Sequence, residues 1–150
     1  MVHVAELEPA EVEQVDRWLP LNRLCQHQEE GSTYLIAWDE EEPVGHAHIA
    51  WTGTRLGIPE LQDVFVLPGE RRRGIATQLA DAAEQTVRAR GWTSLSLSVS
   101  QEGNDAARLL YERLGYRDAG IEPVRVSGVI TLRGRPFEVD DTLLYLVKPL

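Results

Sequence analysis

The residues best placed to bind an anion are the arginine block Arg71 to Gly74, which opens the pattern Arg-x-x-Gly-x-Ala. The block follows an apolar run, Leu61 to Leu67, and precedes an amphipathic stretch that starts at Ile75. A glycine turn that opens a helix leaves several backbone N–H groups without intrahelical acceptors, at the positive end of the helix dipole. Arginine adds charge that matches a pyrophosphate. We therefore predict a pyrophosphate site at Arg71 to Thr77.

Two common phosphate loops are excluded by the spacing of these glycines. The block contains no Gly-x-x-x-x-Gly-Lys-Ser/Thr sequence, and the strand before it does not lead into Gly-x-Gly-x-x-Gly. The expected phosphate ligand is therefore bound neither by a Walker loop nor by a dinucleotide fingerprint.

Three stretches resemble the Gcn5-related N-acetyltransferase (GNAT) family. The first, Val64 to Glu70, leads into the arginine block. The second, Asn104 to Tyr116, has an Asn and an Ala, then Leu-Tyr, then Gly with an aromatic residue. The third is Arg90 to Trp92, a helix-to-strand link before the strand Ser94 to Val99. The resemblance covers about Glu60 to Tyr116, and the flanking residues match only in their order of elements.

The resemblance implies an enzyme that uses acetyl-CoA as co-substrate and acetylates a primary amine directly in a ternary complex. No covalent enzyme intermediate and no metal are expected. Small residues at Gly74 and Ala76 would let phosphate oxygens approach closely. A helix N-cap is the alternative role for Asn104. The implied cofactor-binding residues are Phe65 and Val66 through their backbone, Arg71, Arg72, Arg73, Gly74, Ile75, Ala76 and Thr77 at the pyrophosphate, and Asn104 at the pantetheine arm.

Acetyl transfer from a thioester to an amine needs a base for the ammonium and an acid for the leaving thiolate. The resemblance implies Tyr111 as the acid, because a phenol stays protonated at neutral pH. It implies Glu60, at the head of the cofactor strand, as the base. Asp63 is the reserve, although strand alternation puts it on the other face unless a bulge intervenes. Core packing of Tyr111 and an exposed loop position for Glu60 are the alternatives.

Charge is unevenly distributed along the chain. The net charge is −9, and the first 60 residues hold twelve acidic and three basic side chains, whereas the remaining 90 hold twelve of each. This balance argues against a nucleic-acid partner. An acidic region beside the acceptor groove would attract a cationic amine. The alternative is that Asp39 to Glu42 forms only a solvated hairpin turn.

Periodicity predicts a single α/β domain over residues 1–150, in the order β-α-α-β-β-β-α-β-α-β-β. This order agrees with the resembled fold, a mixed sheet with helices on both faces. No apolar run is long enough to span a bilayer, and one cysteine without a visible signal peptide favours the cytoplasm. The predicted strands are Val2–Leu7, Tyr34–Trp38, Val44–Trp51, Leu61–Val66, Ser94–Val99, Val124–Leu132 and Leu143–Lys148; the predicted helices start near Pro9, Asn22, Ile75 and Ala106.

Several other residues invite functional hypotheses. His46 and His48 share one face of a strand, but no third metal ligand is evident. A solvated or core position is favoured over a metal site, and a polar lining of the acceptor groove stays open. Cys25 is expected to pack in a helix rather than to act as a nucleophile. The tryptophans are expected in the core, although Trp18 and Trp51 could line a pocket. The role of segment 121–141 is open, as a pocket wall or as a contact in a homodimer.

Three functional alternatives stay open at this stage. The chain could be a non-catalytic acyl-CoA sensor with the same fold. It could acetylate a protein N-terminus or a lysine rather than a small amine, or it could transfer a longer acyl group.

Overall fold

The structure of the protein is a computed structural model that describes residues 1–19, 32–103, 105–132 and 135–150. The predicted second helix, from Asn22 to Gly31, lies outside the described residues, as do Cys25 and Asn104. The described strands are β1 (Val2–Glu6), β2 (Ser32–Asp39), β3 (Glu42–Ala50), β4 (Glu60–Val66), β5 (Ser94–Ser100), β6 (Arg117–Asp118), β7 (Val124–Leu132) and β8 (Arg135–Pro149), and the α-helices are α1 (Val12–Trp18), α2 (Ile75–Ala89) and α3 (Asp105–Arg113).

These strands form one mixed sheet in the order β1-β2-β3-β4-β5-β8-β6, with β7 paired to β8. Strands β4 and β5 run parallel, and the other neighbouring strands run antiparallel. The predicted α/β class with a mixed sheet is therefore confirmed.

Strand β2 explains why helices cover both faces of the sheet. Leu35 packs in the same cluster as Leu79 of α2, whereas the next residue, Ile36, packs in the same cluster as Val15 of α1. Successive side chains of a strand point to opposite faces. Helices α1 and α2 therefore lie on opposite faces, as predicted.

Two features of β4 open the sheet beside the turn that precedes α2. Pairing between β4 and β5 is confined to Glu60 and Leu61, so the two strands diverge beyond those residues. On its other side, β4 pairs with β3 through a register shift between His46 and His48. Asp63 lies in this bulge with a left-handed φ of 53°. The sequence did not decide whether β4 contains a bulge, and the structure shows that it does.

The closing hairpin is longer than predicted. Strand β8 starts at Arg135 rather than at Leu143 and pairs with the whole of β7. The short strand β6, which was not predicted, pairs with the far end of β8. Residues 135–142 carry many polar side chains, so hydrophobic alternation does not mark them, and they become a strand because β7 supplies hydrogen-bonding partners.

The tryptophans divide between core and surface. Trp38 and Trp51 are buried, but Trp18 is 56% exposed and Trp92 is 39% exposed. The core prediction is wrong for Trp18 and Trp92. Trp51 donates from Nε1 to Thr33 Oγ1 at 2.9 Å and lies beneath the Arg90 guanidinium.

A buried carboxylate in α2 joins this helix to β8 and to the residues after α3. Glu84 is only 3% exposed. It accepts a hydrogen bond from Lys148 Nζ at 2.8 Å and another from the Tyr116 hydroxyl at 3.2 Å. Burial, and then the Glu84 carboxylate, raise the pKa of Tyr116. These contacts bring together three segments that are far apart in the chain.

We expect the Glu84→Ala variant to lose about 3 kcal/mol of unfolding free energy, because it leaves a partly buried ammonium and a buried phenol without their acceptor. Urea unfolding followed by circular dichroism measures this loss. The control is Asp81→Asn, an exposed position of the same helix, which should change stability by less than about 0.5 kcal/mol. Equal stabilities of the two variants would contradict the structural role of Glu84.

Candidate active site

A cleft of about 540 Å³ lies where β4, the start of α2 and α3 meet. One wall is the part of β4 that has diverged from β5, and the opposite wall is α3. Its length along β4 suits an extended ligand that pairs with a free strand edge. The lining residues are Val64, Phe65, Val66, Arg71, Arg72, Gly74, Ile75, Ala76, Thr77, Ala106, Ala107, Leu110 and Tyr111.

The start of α2 supplies the anion-binding end of this cleft. Gly74 is the N-cap and has a left-handed φ of 76°, a conformation that glycine adopts without strain. Its carbonyl accepts the first helical hydrogen bond, from Gln78 at 3.1 Å. The N–H groups of Ile75, Ala76 and Thr77 therefore precede the first helical bond and are available to an anion.

The three arginines of the block have different environments. Arg71 donates from Nε to the Val66 carbonyl at 3.1 Å and lies over the Phe65 ring, so it holds the turn against β4. Arg72 has a φ of 68° and is exposed beside the cleft. Arg73 does not line the cleft. Its guanidinium contacts Asp39 and Glu70.

The acidic hairpin turn lies beside the start of α2, since Asp39 contacts Arg73. Arg73 Nη1 is 3.0 Å from Asp39 Oδ2, and this hydrogen bond lowers the pKa of Asp39 and raises the pKa of Arg73. The N-terminal ammonium also contacts Asp39 and Glu40. Much of the charge at this turn is therefore paired locally, which favours the solvated-turn alternative for this acidic segment.

A second cavity, of about 460 Å³, lies on the other side of Tyr111. It opens between the diverging ends of β4 and β5. Val64, Ala107 and Tyr111 line both cavities. The remaining lining residues are Glu60, Leu61, Gln62, Asp63, Leu97, Ser98, Val99, Ser100, Leu143 and Tyr145.

Tyr111 is buried, with 8% exposure, and its ring lies edge-on to Tyr116 at a centroid distance of 5.9 Å. Burial raises the pKa of Tyr111 to about 12. The phenol therefore stays protonated throughout the range in which proteins work. A protonated hydroxyl at the junction of the two cavities can donate a proton to the leaving group of a reaction that takes place there.

Glu60 is a buried carboxylate rather than an exposed loop residue. It starts β4 and is 5% exposed. Gln62 donates a hydrogen bond to Glu60 Oε2, whereas Oε1 has no hydrogen-bond partner among the described residues. A buried carboxylate oxygen without a donor is poised to accept a proton or a hydrogen bond from a ligand.

The bulge in β4 brings a second carboxylate into the same cavity. Asp63 Oδ2 lies 4.0 Å from Nδ1 of His48, and His48 is paired in register with Gln62. Directly opposed residues of neighbouring strands share a face, so Asp63 lies on the same face as Gln62 and Glu60. Strict alternation would have placed it on the opposite face.

The two histidines form part of a buried aromatic row. His46 stacks on Phe65 at 5.6 Å, and His48 stacks on Tyr34 at 4.7 Å. Both imidazoles are almost fully buried, and neither lines the two cavities. The described residues contain no group of three or more side chains suited to a metal ion. Their burial corresponds to a core position rather than a solvated one.

The structure groups most of the predicted site residues. Of the described residues assigned to the cofactor, all but Arg73 line the first cavity, and Asn104 lies outside the described residues; Glu60 lines the second cavity, and Tyr111 lines both. Sequence reasoning missed Gln62, Ser98, Ser100 and Tyr145. The alternation of serine with apolar residues along β5 is the signal that could have identified Ser98 and Ser100.

The Acetyltransferase (GNAT) family matches residues 2–116 of the chain. A provisionally named acetyltransferase of Bacillus subtilis (strain 168) is 28% identical over 110 residues, which cover 73% of this chain and 65% of that protein. The uncharacterized N-acetyltransferase YjgM of Escherichia coli (strain K12) is 36% identical over 87 residues, which cover 57% of this chain and 52% of that protein. The matches thus span less than two thirds of either relative.

A solved structure shows the same fold. The ribosomal-protein-S18-alanine N-acetyltransferase from Escherichia coli superimposes with a TM-score of 0.72 at 20% identity, over 99% of this chain and 94% of that chain. No helix in the described ranges is long and apolar enough to cross a membrane.

Proposed function

Since the chain belongs to the acetyltransferase (GNAT) family, we propose that it transfers an acetyl group from acetyl-CoA directly to a primary amine. The observation that carries the proposal is the position of Tyr111, which lines both the cleft at the start of α2 and the cavity that holds Glu60. One cavity would take the cofactor, the other the acceptor, and the reaction would occur where they meet.

The residues of the first cleft fit the cofactor. The free N–H groups at the start of α2 match a pyrophosphate in charge and direction. The edge of β4 beyond Leu61, which β5 leaves unpaired, matches an arm that carries amide groups. Bound acetyl-CoA would supply an acetyl thioester, whose C–S bond breaks as the amine nitrogen bonds to the carbonyl carbon.

Glu60 and Tyr111 would handle the proton transfers of this reaction. The ammonium form of the acceptor must lose a proton before it attacks, and Glu60 Oε1 is a buried oxygen without a donor among the described residues. The departing thiolate must gain a proton, and Tyr111 is a buried phenol that stays protonated. The ammonium would give one proton to Glu60 before it attacks, and the newly bonded nitrogen would give a second proton to the Tyr111 phenolate once the phenol has protonated sulfur. The products are an amide and a free thiol, with Tyr111 again a phenol and one proton left on Glu60.

The acceptor would be a small cationic amine, since the second cavity is lined by carboxylates and hydroxyl groups. The alternative acceptor is a protein N-terminus or a lysine. A fold neighbour, the ribosomal-protein-S18-alanine N-acetyltransferase, suggests this alternative, but it shares only the fold with this chain. A non-catalytic acyl-CoA sensor is the remaining alternative. A sensor would need no acid at the junction of the two cavities.

We expect calorimetric titration to show micromolar binding of acetyl-CoA, and the Gly74→Asp variant to bind it about 100-fold more weakly, a loss of about 2.8 kcal/mol. The reason is repulsion between the new carboxylate and the phosphates at the helix start. Titrations with free CoA and with a longer acyl-CoA in parallel define the acyl preference.

The matched control is Gly74→Asn, because Asp and Asn are both among the residues that tolerate a left-handed backbone and they differ in charge. A gap of tenfold or more between the two variants would support the phosphate site. Equal binding by both variants would argue against it. Tight binding without acetylation of any amine in a screen would favour the sensor.

A further inference from the structure

Glu60 lies at the point where β4 is still paired on both sides. It is in register with Ala50 of β3 and with Ser96 of β5, whereas the pairing between β4 and β5 ends at Leu61. The sheet therefore fixes the backbone at Glu60. What the sheet leaves undetermined is the direction of the carboxylate, because a glutamate side chain keeps several rotatable bonds.

The amide of Gln62 supplies a hydrogen bond that fixes this carboxylate. Successive side chains of a strand alternate between faces, so Glu60 and Gln62 lie on the same face of β4, and both line the second cavity. Gln62 Nε2 donates to Oε2 of Glu60, whereas Oε1 has no donor among the described residues. The two oxygens of one buried carboxylate are therefore in different environments.

This difference decides which oxygen of Glu60 takes a proton. Nε2 of an amide can only donate, so a proton placed on Oε2 would compete with the N–H group that Gln62 directs at the same oxygen. Burying Oε1 without a donor is costly unless a proton or a ligand satisfies it. A proton that comes from a bound amine is therefore favoured on Oε1.

We propose that Gln62 is a positioning residue for the base, because its amide holds Oε2 and so makes Oε1 of Glu60 the atom that takes the proton of the acceptor ammonium. In that step an N–H bond of the ammonium breaks, its electron pair stays on nitrogen, and the proton bonds to Oε1. This inference rests on the proposed function, in which Glu60 is the base. Gln62 exchanges no proton itself and acts on the reaction through Glu60.

Two other roles for Gln62 lead to different results. As a wall of the cavity it could bind the acceptor directly, and as a half-buried side chain it could serve packing alone. Both of these roles act independently of Glu60. A positioning role, in contrast, has no effect once Glu60 cannot take a proton, and it loses importance at a pH where the amine arrives already deprotonated.

The test is a double-mutant cycle between Gln62→Met and Glu60→Gln. Methionine is close to glutamine in length and has no N–H group to donate. Turnover is followed by thiol release from acetyl-CoA with n-butylamine and with benzylamine, between pH 7 and pH 10. We expect Gln62→Met to lower kcat/KM about tenfold at pH 7, but by less than about twofold in the Glu60→Gln background. The deficit should shrink towards pH 10 as the fraction of free amine rises.

The other titratable groups of this cavity are the same in every variant. Asp63, Tyr111 and Tyr145 line it, and Asp63 lies 4.0 Å from His48, so their titration divides out when a variant is compared with the wild type. The matched control is Gln85→Met, the same substitution at an exposed position of α2 that lines neither of the two cavities. It should retain wild-type kinetics at every pH.

A second variant keeps the test decisive if Gln62→Met does not fold. Gln62→Ser leaves space in which a water molecule can donate to Oε2, so the buried charge keeps a donor while the fixed amide is lost. Its deficit should show the same dependence on Glu60 and on pH. Circular dichroism and calorimetric titration with acetyl-CoA, whose proposed site is the other cavity, establish that each variant is folded.

Binding of n-butylamine to protein saturated with free CoA is measured beside turnover, so that this inference and the proposed function can fail separately. If the amine binds without thiol release, and Gln62→Met weakens binding about threefold or more only while Glu60 is present, the positioning role stands and acetyl transfer fails. A deficit that is constant with pH, or equal in both backgrounds, overturns the inference and leaves acetyl transfer intact. Wild-type kinetics of Gln62→Met overturn it as well, as does the absence of both binding and turnover.

Discussion

Turnover of the Tyr111→Phe variant is expected to fall about 10²-fold or more, the scale of general acid catalysis, while its affinity for acetyl-CoA stays within a few-fold of the wild type. The variant keeps the ring that packs at the junction of the two cavities and removes only the hydroxyl. Steady-state kinetics with saturating amine, together with calorimetric titration of acetyl-CoA, separate the two quantities.

The pH dependence follows from the raised pKa of Tyr111. Because burial raises this pKa to about 12, the phenol is protonated and able to donate at every pH below about 11. The wild-type kcat should therefore show no loss from deprotonation of the acid between pH 7 and pH 10. A basic limb in kcat with a midpoint near pH 8 would identify a different acid.

The matched control is Tyr116→Phe. Tyr116 lies 5.9 Å from Tyr111 and lines neither of the two cavities. This variant loses the hydrogen bond to Glu84 and thus some stability, but its turnover well below the melting temperature should stay within about threefold of the wild type. If both variants lose activity equally, packing of this ring pair rather than proton donation explains the effect, and the acid assignment is wrong.

The second large effect is expected for Glu60→Gln, whose kcat/KM at pH 7 should fall about 10²-fold. Glutamine is close in size and its carbonyl oxygen can still accept the hydrogen bond from Gln62, so the local structure is kept. What it loses is the capacity to take a proton from the ammonium. A pH–rate profile with a simple amine acceptor measures the effect.

Raising the pH should partly restore the activity of this variant. An aliphatic ammonium has a pKa near that of lysine, so the fraction of free amine rises about tenfold per pH unit below pH 10. The kcat/KM of Glu60→Gln should rise with the same slope, and its deficit should shrink towards pH 10. A deficit that is constant with pH would indicate a role in binding rather than in proton removal.

Glu112→Gln is the control for this substitution, since Glu112 lies on the surface of α3 in an ion pair with Arg108. It should retain wild-type kinetics. If Glu60→Gln also retains them, Asp63→Asn becomes the test of the reserve base. Unchanged turnover in both variants would mean that no dedicated carboxylate removes the proton.

Local features of the chain were predictable from sequence. The glycine turn at Gly74 and the start of α2 at Ile75 depend on residues adjacent in the chain, since the conformation of glycine and the helical spacing of apolar residues act over a few positions. The strands up to Ser100 were predicted from short apolar or alternating runs for the same reason. Arg71 to Ala76 and Tyr111 were identified because their motif is a contiguous pattern.

Features that depend on distant partners were not predictable in this way. Residues 135–142 form a strand only because β7 pairs with them. Arg73, named as a cofactor residue, contacts Asp39, which is 34 positions away in the chain. The burial of Glu84 depends on Lys148 at the far end of the chain. In each case the stabilising contact joins separate segments of the chain, and the spacing of residues within a short segment does not reveal it.

The sequence by itself determined that a glycine-marked helix start follows a buried strand and that a tyrosine motif comes later, because these are short-range patterns. Only the tertiary structure decided that β4 and β5 part after Leu61, and that the bulge at Asp63 turns a second carboxylate towards Glu60. Strand divergence and bulges are set by how whole strands pair and pack, a balance of contacts across the sheet. The second cavity exists because of that balance.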